Sequence, residues 1–120
     1  MGKKRVLIVE DEIILSLVLE QMITQMGHTV VDKVTTGEMA IEKALEEQPD
    51  LIFMDIHLSG EMDGIEAVSE IQQKIEVSVI YITASTSYIH EKRIRKTSFL
   101  DFLTKPVTRY QLSDSLEMVS

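Results

Sequence analysis

The segment Leu51-Ile52-Phe53-Met54-Asp55 is a run of four apolar residues that ends in a carboxylate. Continuous apolar runs of this length are typical of strands that are buried on both faces, as in a parallel sheet. Four further short runs of apolar, largely β-branched residues occur along the chain, at 6–9, 29–31, 77–82 and 99–103. The sequence therefore predicts five short strands, of which the quoted segment is the third.

Segments with helical spacing of apolar residues separate these strands. We predict five helices. The first covers 13–26, the second begins at a capping box of Thr35 and Glu38 and ends before Pro49, and the third follows an apolar stripe from 65 to 75. The fourth covers 88–97, and the fifth follows a second capping box, of Thr108 and Gln111. In the first helix, apolar residues recur at helical spacing in two rows, one at 14, 18, 22 and 26 and the other at 15, 19 and 23.

Strands and helices thus alternate five times, which favours an α/β fold with right-handed crossovers and helices on both faces of a parallel sheet. We predict a single (βα)5 domain over residues 1–120, with a doubly wound sheet in the flavodoxin-like strand order 2-1-3-4-5. The length of 120 residues fits one domain and is too short for two ordinary ones.

Composition argues against several classes of protein. The chain has no cysteine, which excludes disulfides and thiolate zinc sites. Twelve basic and twenty acidic residues give a net charge of −8, which would repel the phosphate backbone of a nucleic acid. No apolar run approaches the ~20 residues of a membrane helix, and the apolar stretch after the basic start is too short for a signal peptide. We expect a cytoplasmic protein with no direct nucleic-acid or membrane partner.

Polar residues stand where the predicted strands end. Glu10 and Asp11 follow the first strand, Asp55 ends the third, Thr83 follows the fourth, and Lys105 follows the fifth. Ligands of doubly wound sheets bind at the carboxyl ends of the strands, near the point where the strand order reverses. We therefore expect these side chains to converge at one edge of the sheet.

Three carboxylates at one edge need compensation. At ~5 Å and an effective dielectric constant of about 20, each like-charged pair costs about 3 kcal/mol. Lys105 offsets part of this repulsion, and a divalent cation would offset more. Oxygen ligands without cysteine or clustered histidine favour Mg²⁺ over zinc or copper, and Mg²⁺ keeps room for water and a phosphate oxygen.

Asp55, at the centre of the predicted edge, is the candidate nucleophile, because a carboxylate can form an acyl phosphate. The cation and Lys105 would stabilise charge on the transferred group, and the Thr83 hydroxyl would bond one of its oxygens. Taken singly, these residues have ordinary explanations, since Asp11 and Glu12 also suit a helix N-terminus. Only their combination points to phosphoryl chemistry.

The whole chain resembles a receiver domain of the two-component response-regulator family. Five segments carry this resemblance, in order and each at or just after a predicted strand end: Arg5–Glu12, Asp50–Asp55, Met62–Gly64, Thr83–Ala84 and Lys105–Pro106.

The resemblance implies roles for residues of this chain. Glu10 and Asp11 would be the acidic pair that binds Mg²⁺, with Asp11 the more direct ligand. Asp55 would be both phosphoacceptor and metal ligand, and the backbone carbonyl of His57 a further ligand. Lys105 would contact the phosphoryl group. Thr83 and Phe102 would be the switch residues, Gly64 would begin the third helix, and a cis peptide would precede Pro106.

The resemblance also implies partners. A histidine kinase or phosphotransfer protein would donate the phosphoryl group, and an output domain or downstream protein would respond to the face formed by helix 4, strand 5 and helix 5. The chain would be a monomer or a weak homodimer through that face, with no output domain of its own. It would act as a signalling phosphoacceptor that catalyses its own phosphorylation and dephosphorylation, not as an enzyme for a separate substrate.

Two departures from the family pattern stand out. Gly64 lies nine residues after Asp55 instead of the usual eight, and Ser59 replaces the usual proline, so we expect a longer and looser loop over 57–62. The aromatic switch position, commonly tyrosine, is Phe102, which has no hydroxyl and favours a buried rotamer.

Three alternatives remain open at this point. A pseudo-receiver would only bind partners, which the intact set of acidic, hydroxyl and lysine residues disfavours. A Mg²⁺-dependent phosphatase with an aspartyl nucleophile needs a second carboxylate two residues after the nucleophile, where this chain has His57. A flavin-binding electron carrier on this fold would need a Ser/Thr/Gly-rich phosphate loop after the first strand, where this chain has three acids.

Overall fold

The computed structural model describes residues 2–84 and 92–119. Five strands are formed: β1 (Arg5–Val9), β2 (Thr29–Val34), β3 (Leu51–Asp55), β4 (Ser78–Thr83) and β5 (Asp101–Thr104). Four helices are assigned within the described ranges: α1 (Ile13–Gln25), α2 (Gly37–Glu47), α3 (Gly64–Gln72) and α4 (Arg109–Glu117). Residues 92–94 are also helical, and the first part of the helix predicted over 88–97 lies outside the described residues.

The strands form one parallel sheet in the order β2-β1-β3-β4-β5, which confirms the predicted fold class and topology. β3 lies at the centre, and all five of its residues are buried. The register pairs Val9 of β1 with Met54 of β3, and Asp55 with Ile82 of β4. The carboxyl ends of these three strands are therefore level with one another.

Side chains alternate between the two faces of the sheet, as they must along an extended chain. Val6 and Ile8 of β1 pack with Leu19 of α1 and Leu112 of α4 in one core cluster. The intervening residues of β1 face the other cluster, which contains residues of α2 and α3 and Ile94. The predicted doubly wound arrangement is thereby confirmed.

The two predicted capping boxes had different outcomes. The one at Thr108 and Gln111 is present at the start of α4, with both reciprocal hydrogen bonds. The one at Thr35 and Glu38 was wrong by one residue. The N-cap of α2 is Thr36, whose side chain accepts a 3.1 Å hydrogen bond from the Met39 N–H. Adjacent threonines offer the same capping chemistry, so the sequence alone could not choose between them.

The two apolar rows of α1 are buried to different extents. Ile14 and Val18 of the first row are 79% and 42% exposed, whereas Leu19 and Ile23 of the second row are fully buried. Ile13 and Leu17 are exposed as well. Because α1 carries apolar residues around most of its circumference, periodicity does not identify which stripe faces the sheet. The exposed residues 13, 14, 17 and 18 are called the α1 apolar face below.

Within the described ranges, none of the helices combines the length and apolar character that crossing a bilayer requires.

Candidate functional site

Three carboxylates meet at the carboxyl edge of the sheet. Glu10 follows β1 and Asp55 ends β3, and the two strands are neighbours in register. Glu10 and Asp55 are 1% and 2% exposed, and Asp11 is partly exposed. One oxygen from each of the three side chains lies within 4.8 Å of the others. The sheet topology thus brings together the acidic residues that the sequence pattern singled out.

Lys105, which follows β5, reaches into this cluster. Its Nζ lies 3.1 Å from Glu10 Oε1, 3.2 Å from Asp55 Oδ2 and 3.2 Å from Glu12 Oε1. Burial alone would lower the pKa of Lys105, but its contacts with the carboxylates of Glu10 and Asp55 outweigh burial and hold the pKa above its ordinary value. The ammonium is therefore charged and partly neutralises the acidic cluster.

Glu10 is the most deeply buried acid of the site. Burial, with the nearby charge of Asp55, raises the pKa of Glu10 to about 7, although its Oε2 accepts a 3.0 Å hydrogen bond from the Glu12 N–H. Its other oxygen, Oε1, is buried and receives no hydrogen bond of normal geometry from the described residues, even with the Lys105 ammonium beside it. Burying a carboxylate oxygen without a donor is costly unless another positive partner is available.

These oxygens fit a hard divalent cation. Mg²⁺ prefers one or two carboxylates and keeps several waters, and the partial exposure of Asp11 gives one side of the cluster access to solvent. Among the described residues, the ammonium of Lys105 brings positive charge to the buried Oε1 of Glu10, and a cation at the cluster would bring more. The residues present are therefore compatible with the predicted Mg²⁺ site.

Asp55 is held by the segment that follows it. The His57 N–H donates a 3.1 Å hydrogen bond to Asp55 Oδ1, and the Gly64 N–H donates to the Ile56 carbonyl at 2.9 Å. Gly64 begins α3, as expected, and packs so closely that a Cβ there would lie 2.2 Å from the Asp55 carbonyl oxygen. Only glycine allows the start of α3 to approach the backbone of Asp55 in this way.

The loop over 57–62, which we expected to be longer and looser because of its extra residue, makes specific contacts with neighbouring segments. Ser59 forms an isolated bridge with Thr36, and its hydroxyl donates a 3.0 Å hydrogen bond to Asp11 Oδ2. The Met62 side chain packs on Gly37 at the start of α2. The additional residue is absorbed by contacts with neighbouring loops, which spacing along the chain could not show.

The hydroxyl and aromatic positions lie on the last two strands. Thr83 ends β4 and is fully buried, and its carbonyl accepts a 2.8 Å hydrogen bond from the Lys105 N–H. The expected cis peptide between Lys105 and Pro106 is present. Phe102 lies opposite Tyr81 in the register of β4 and β5, and it is partly buried against the α2–α3 side of the core.

Two features of the region were missed from the sequence. Glu12 lies at the N-cap of α1, in line with the helix N-terminus that was offered as its ordinary explanation, but its side chain makes no capping hydrogen bond and its contact with Lys105 was not predicted. Asp63, the N-cap of α3, forms a 2.6 Å ion pair with Arg93. The position of Glu12 directly after the acidic pair is a signal that could have indicated the first contact. The second joins residues thirty apart and leaves no local signal.

Comparison with known proteins identifies the family to which the chain is similar. The family model for the response regulator receiver domain matches residues 6–117. The chemotaxis protein CheY of Thermotoga maritima is 36% identical over 119 residues, which cover 98% of each protein. The transcriptional regulatory protein PdtaR of Mycobacterium tuberculosis is 32% identical over 115 residues. That match covers 96% of this chain but only 56% of PdtaR.

The solved structures agree with this result. The signal receiver domain of a modulated diguanylate cyclase from Desulfovibrio desulfuricans G20 superposes with a TM-score of 0.92 at 30% identity. The superposition covers 98% of this chain and 94% of that one. Sequence and structure comparisons therefore identify the same family over nearly the full length of the chain.

Proposed function

Because the chain belongs to the response regulator receiver family of two-component signalling, we propose that Asp55 is its phosphoacceptor. The observation that carries this assignment is the convergence of Glu10, Asp11 and Lys105 on the Asp55 carboxylate. In the proposed reaction, a carboxylate oxygen of Asp55 attacks the phosphorus of a phosphohistidine. A P–O bond forms, the P–N bond breaks, and the imidazole nitrogen leaves with the bonding electron pair. The product is an acyl phosphate on Asp55.

Neighbouring groups of this chain would serve distinct purposes in that reaction. Lys105, already 3.2 Å from Asp55 Oδ2, would stabilise negative charge on the transferred group. The Thr83 hydroxyl, at the end of the adjacent strand, would bond a phosphoryl oxygen. The His57 N–H fixes Asp55 Oδ1 and thereby orients the carboxylate.

The proposed Mg²⁺ site consists of the carboxylates of Glu10, Asp11 and Asp55 and the backbone carbonyl of His57. When bound, the ion would supply positive charge that offsets repulsion between the carboxylates and the incoming phosphoryl oxygens. We also propose that Thr83 and Phe102 are the switch residues, as in the family. The responding surface would be the face formed by the 92–94 segment, β5 and α4.

We further propose that residues 1–120 act as one receiver unit whose phosphodonor is a histidine kinase or phosphotransfer protein. The α1 apolar face is a suitable docking surface for that donor. It begins at Ile13, directly after Glu12, which contacts Lys105. A helical donor packed on this face would bring its phosphohistidine to the edge of the sheet where Asp55 lies.

The test is phosphorylation by acetyl phosphate and Mg²⁺, measured by intact-mass spectrometry. Wild type and Asp114→Asn, a matched control on the exposed side of α4, should each gain about 80 Da, one phosphoryl group. Asp55→Asn should gain nothing, and chelation of Mg²⁺ should abolish the gain in wild type and in Asp114→Asn. Labelling of Asp55→Asn at the wild-type rate would refute the assignment. A wild type that neither binds Mg²⁺ nor accepts phosphate from any donor would instead be a pseudo-receiver.

A further inference from the structure

We propose that Ser59 is a positioning residue for the cation site, holding the Asp11 carboxylate in the orientation that binds Mg²⁺. This inference rests on the proposed function, and it concerns a residue of the 57–62 loop that no part of that function uses. Its basis is the 3.0 Å hydrogen bond from Ser59 Oγ to Asp11 Oδ2, which joins residues forty-eight apart in the chain.

The topology explains why Ser59 reaches Asp11. β1 lies between β2 and β3 in the sheet, so the segments that follow β2 and β3 meet beyond the end of β1. The isolated bridge between Thr36 and Ser59 is that meeting point, and Asp11 lies just past the end of β1. Gly60, at φ +94°, occupies the left-handed region and lets the chain turn immediately after Ser59.

Asp11 needs such a partner more than the other two acids do. Glu10 and Asp55 are buried, and each accepts a hydrogen bond from a backbone N–H, so their side chains are fixed by the strands and the following turns. Asp11 is partly exposed, and among the described residues its carboxylate accepts one hydrogen bond, from Ser59. Without the hydroxyl, the Asp11 side chain would sample several rotamers, and binding a cation would cost the entropy of fixing one.

The hydrogen bond also places the two carboxylate oxygens of Asp11 in different environments. Ser59 occupies Oδ2 and leaves Oδ1 without a donor among the described residues. An outer partner that orients a liganding carboxylate typically affects metal affinity by one to two orders of magnitude. Since Ser59 is exposed and water competes for the same oxygen, we expect a smaller effect, at or below the lower end of that range, about three- to tenfold.

The experiment compares wild type, Ser59→Ala, Ser59→Thr and Ser69→Ala, a matched control on the exposed side of α3. Mg²⁺ binding is measured by calorimetric titration. Ser59→Ala should bind Mg²⁺ about three- to tenfold more weakly. Ser59→Thr, which keeps the hydroxyl, and Ser69→Ala should bind like wild type, and all four should unfold at the same urea concentration without Mg²⁺.

A second readout separates positioning from catalysis. In acetyl phosphate labelling, Ser59→Ala should need about three- to tenfold more Mg²⁺ for half-maximal rate but should reach the wild-type rate at saturating Mg²⁺. Wild-type Mg²⁺ affinity in Ser59→Ala would overturn the inference and leave the proposed function intact. An equal loss in Ser59→Thr would also overturn it, because the hydroxyl would not be responsible. If wild type itself binds no Mg²⁺ and takes no phosphate, the proposed function fails and the inference fails with it.

Discussion

Replacing Gly64 with alanine should destabilise the protein more than any other single-methyl addition at its tightly packed glycines. The new Cβ would lie 2.2 Å from the Asp55 carbonyl oxygen, 2.9 Å from Met54 Cγ and 3.0 Å from the Asp55 carbonyl carbon. Two of these atoms belong to the backbone of a fully buried central strand, so they cannot move aside as a flexible side chain would. Overpacking of this kind typically costs about 1–3 kcal/mol, and here we expect about 3 kcal/mol.

Gly37→Ala is the matched control. It also adds a methyl group at the first residue of a helix, but its nearest neighbours, at 2.9–3.2 Å, are atoms of the flexible Met62 side chain. We expect a loss below about 1 kcal/mol, because Met62 can adopt another rotamer.

Urea unfolding measures both changes. With an m-value of about 1.5 kcal/mol/M, a loss of about 3 kcal/mol lowers the unfolding midpoint by about 2 M. A Gly64→Ala midpoint no lower than that of Gly37→Ala would refute the reasoning that the Asp55 backbone is immovable at this contact. A folded Gly64→Ala variant should also be phosphorylated more slowly than wild type, because the added methyl displaces the backbone that carries the Asp55 carboxylate.

Three further predictions use other parts of the molecule. In urea unfolding, Leu19→Ala should cost about 2–5 kcal/mol and Ile14→Ala less than about 0.5, because only the first side chain is buried; equal losses would contradict the orientation of α1. Burial raises the pKa of Tyr81 to about 12, so the stability contributed by the neutral phenol should be complete below pH 10, the ordinary tyrosine pKa, and should be lost as the pH rises toward 12. Phenolate absorbance during alkaline unfolding, with Tyr81→Phe as the control, measures this loss. Burial alone would raise the pKa of Asp63, but hydrogen bonds from Arg93 and from the Glu66 N–H outweigh burial and hold the pKa below 3.8, so the stability that ionised Asp63 contributes is lost as acid protonates it. Arg93→Gln should raise the pKa of Asp63 in an NMR titration, and an unchanged value would refute the coupling.

The features predictable from the sequence were those set by the sheet. Apolar runs mark strands buried on both faces, and a polar residue that ends such a run must lie at the sheet edge. Five alternations of strand and helix determine that the ends of β1, β3, β4 and β5 point the same way. Those two rules are enough to predict that Asp55 lies close to Glu10, Asp11 and Lys105.

The features that could not be predicted depend on contacts between surface segments. The helix α1 is apolar nearly all round, so only packing against the sheet decides that Leu19 is buried and Ile14 exposed. The loop over 57–62 is held by partners from two other loops, and the extra residue gives no indication of them. In each case the deciding partner is distant in sequence and carries no periodic pattern.

The central position of β3 has a consequence for motion. All five residues of β3 are buried and the strand is paired on both sides, so the backbone of Asp55 belongs to the part of the molecule that is most expensive to deform. At the sheet edge, β5 has a neighbour on one side only, and three of its four residues are incompletely buried. A charge added at Asp55 would therefore act on a rigid support, and we expect the edge strand β5 and the loops around it to respond. A local electrostatic change at the centre of the sheet would then produce displacement at its periphery.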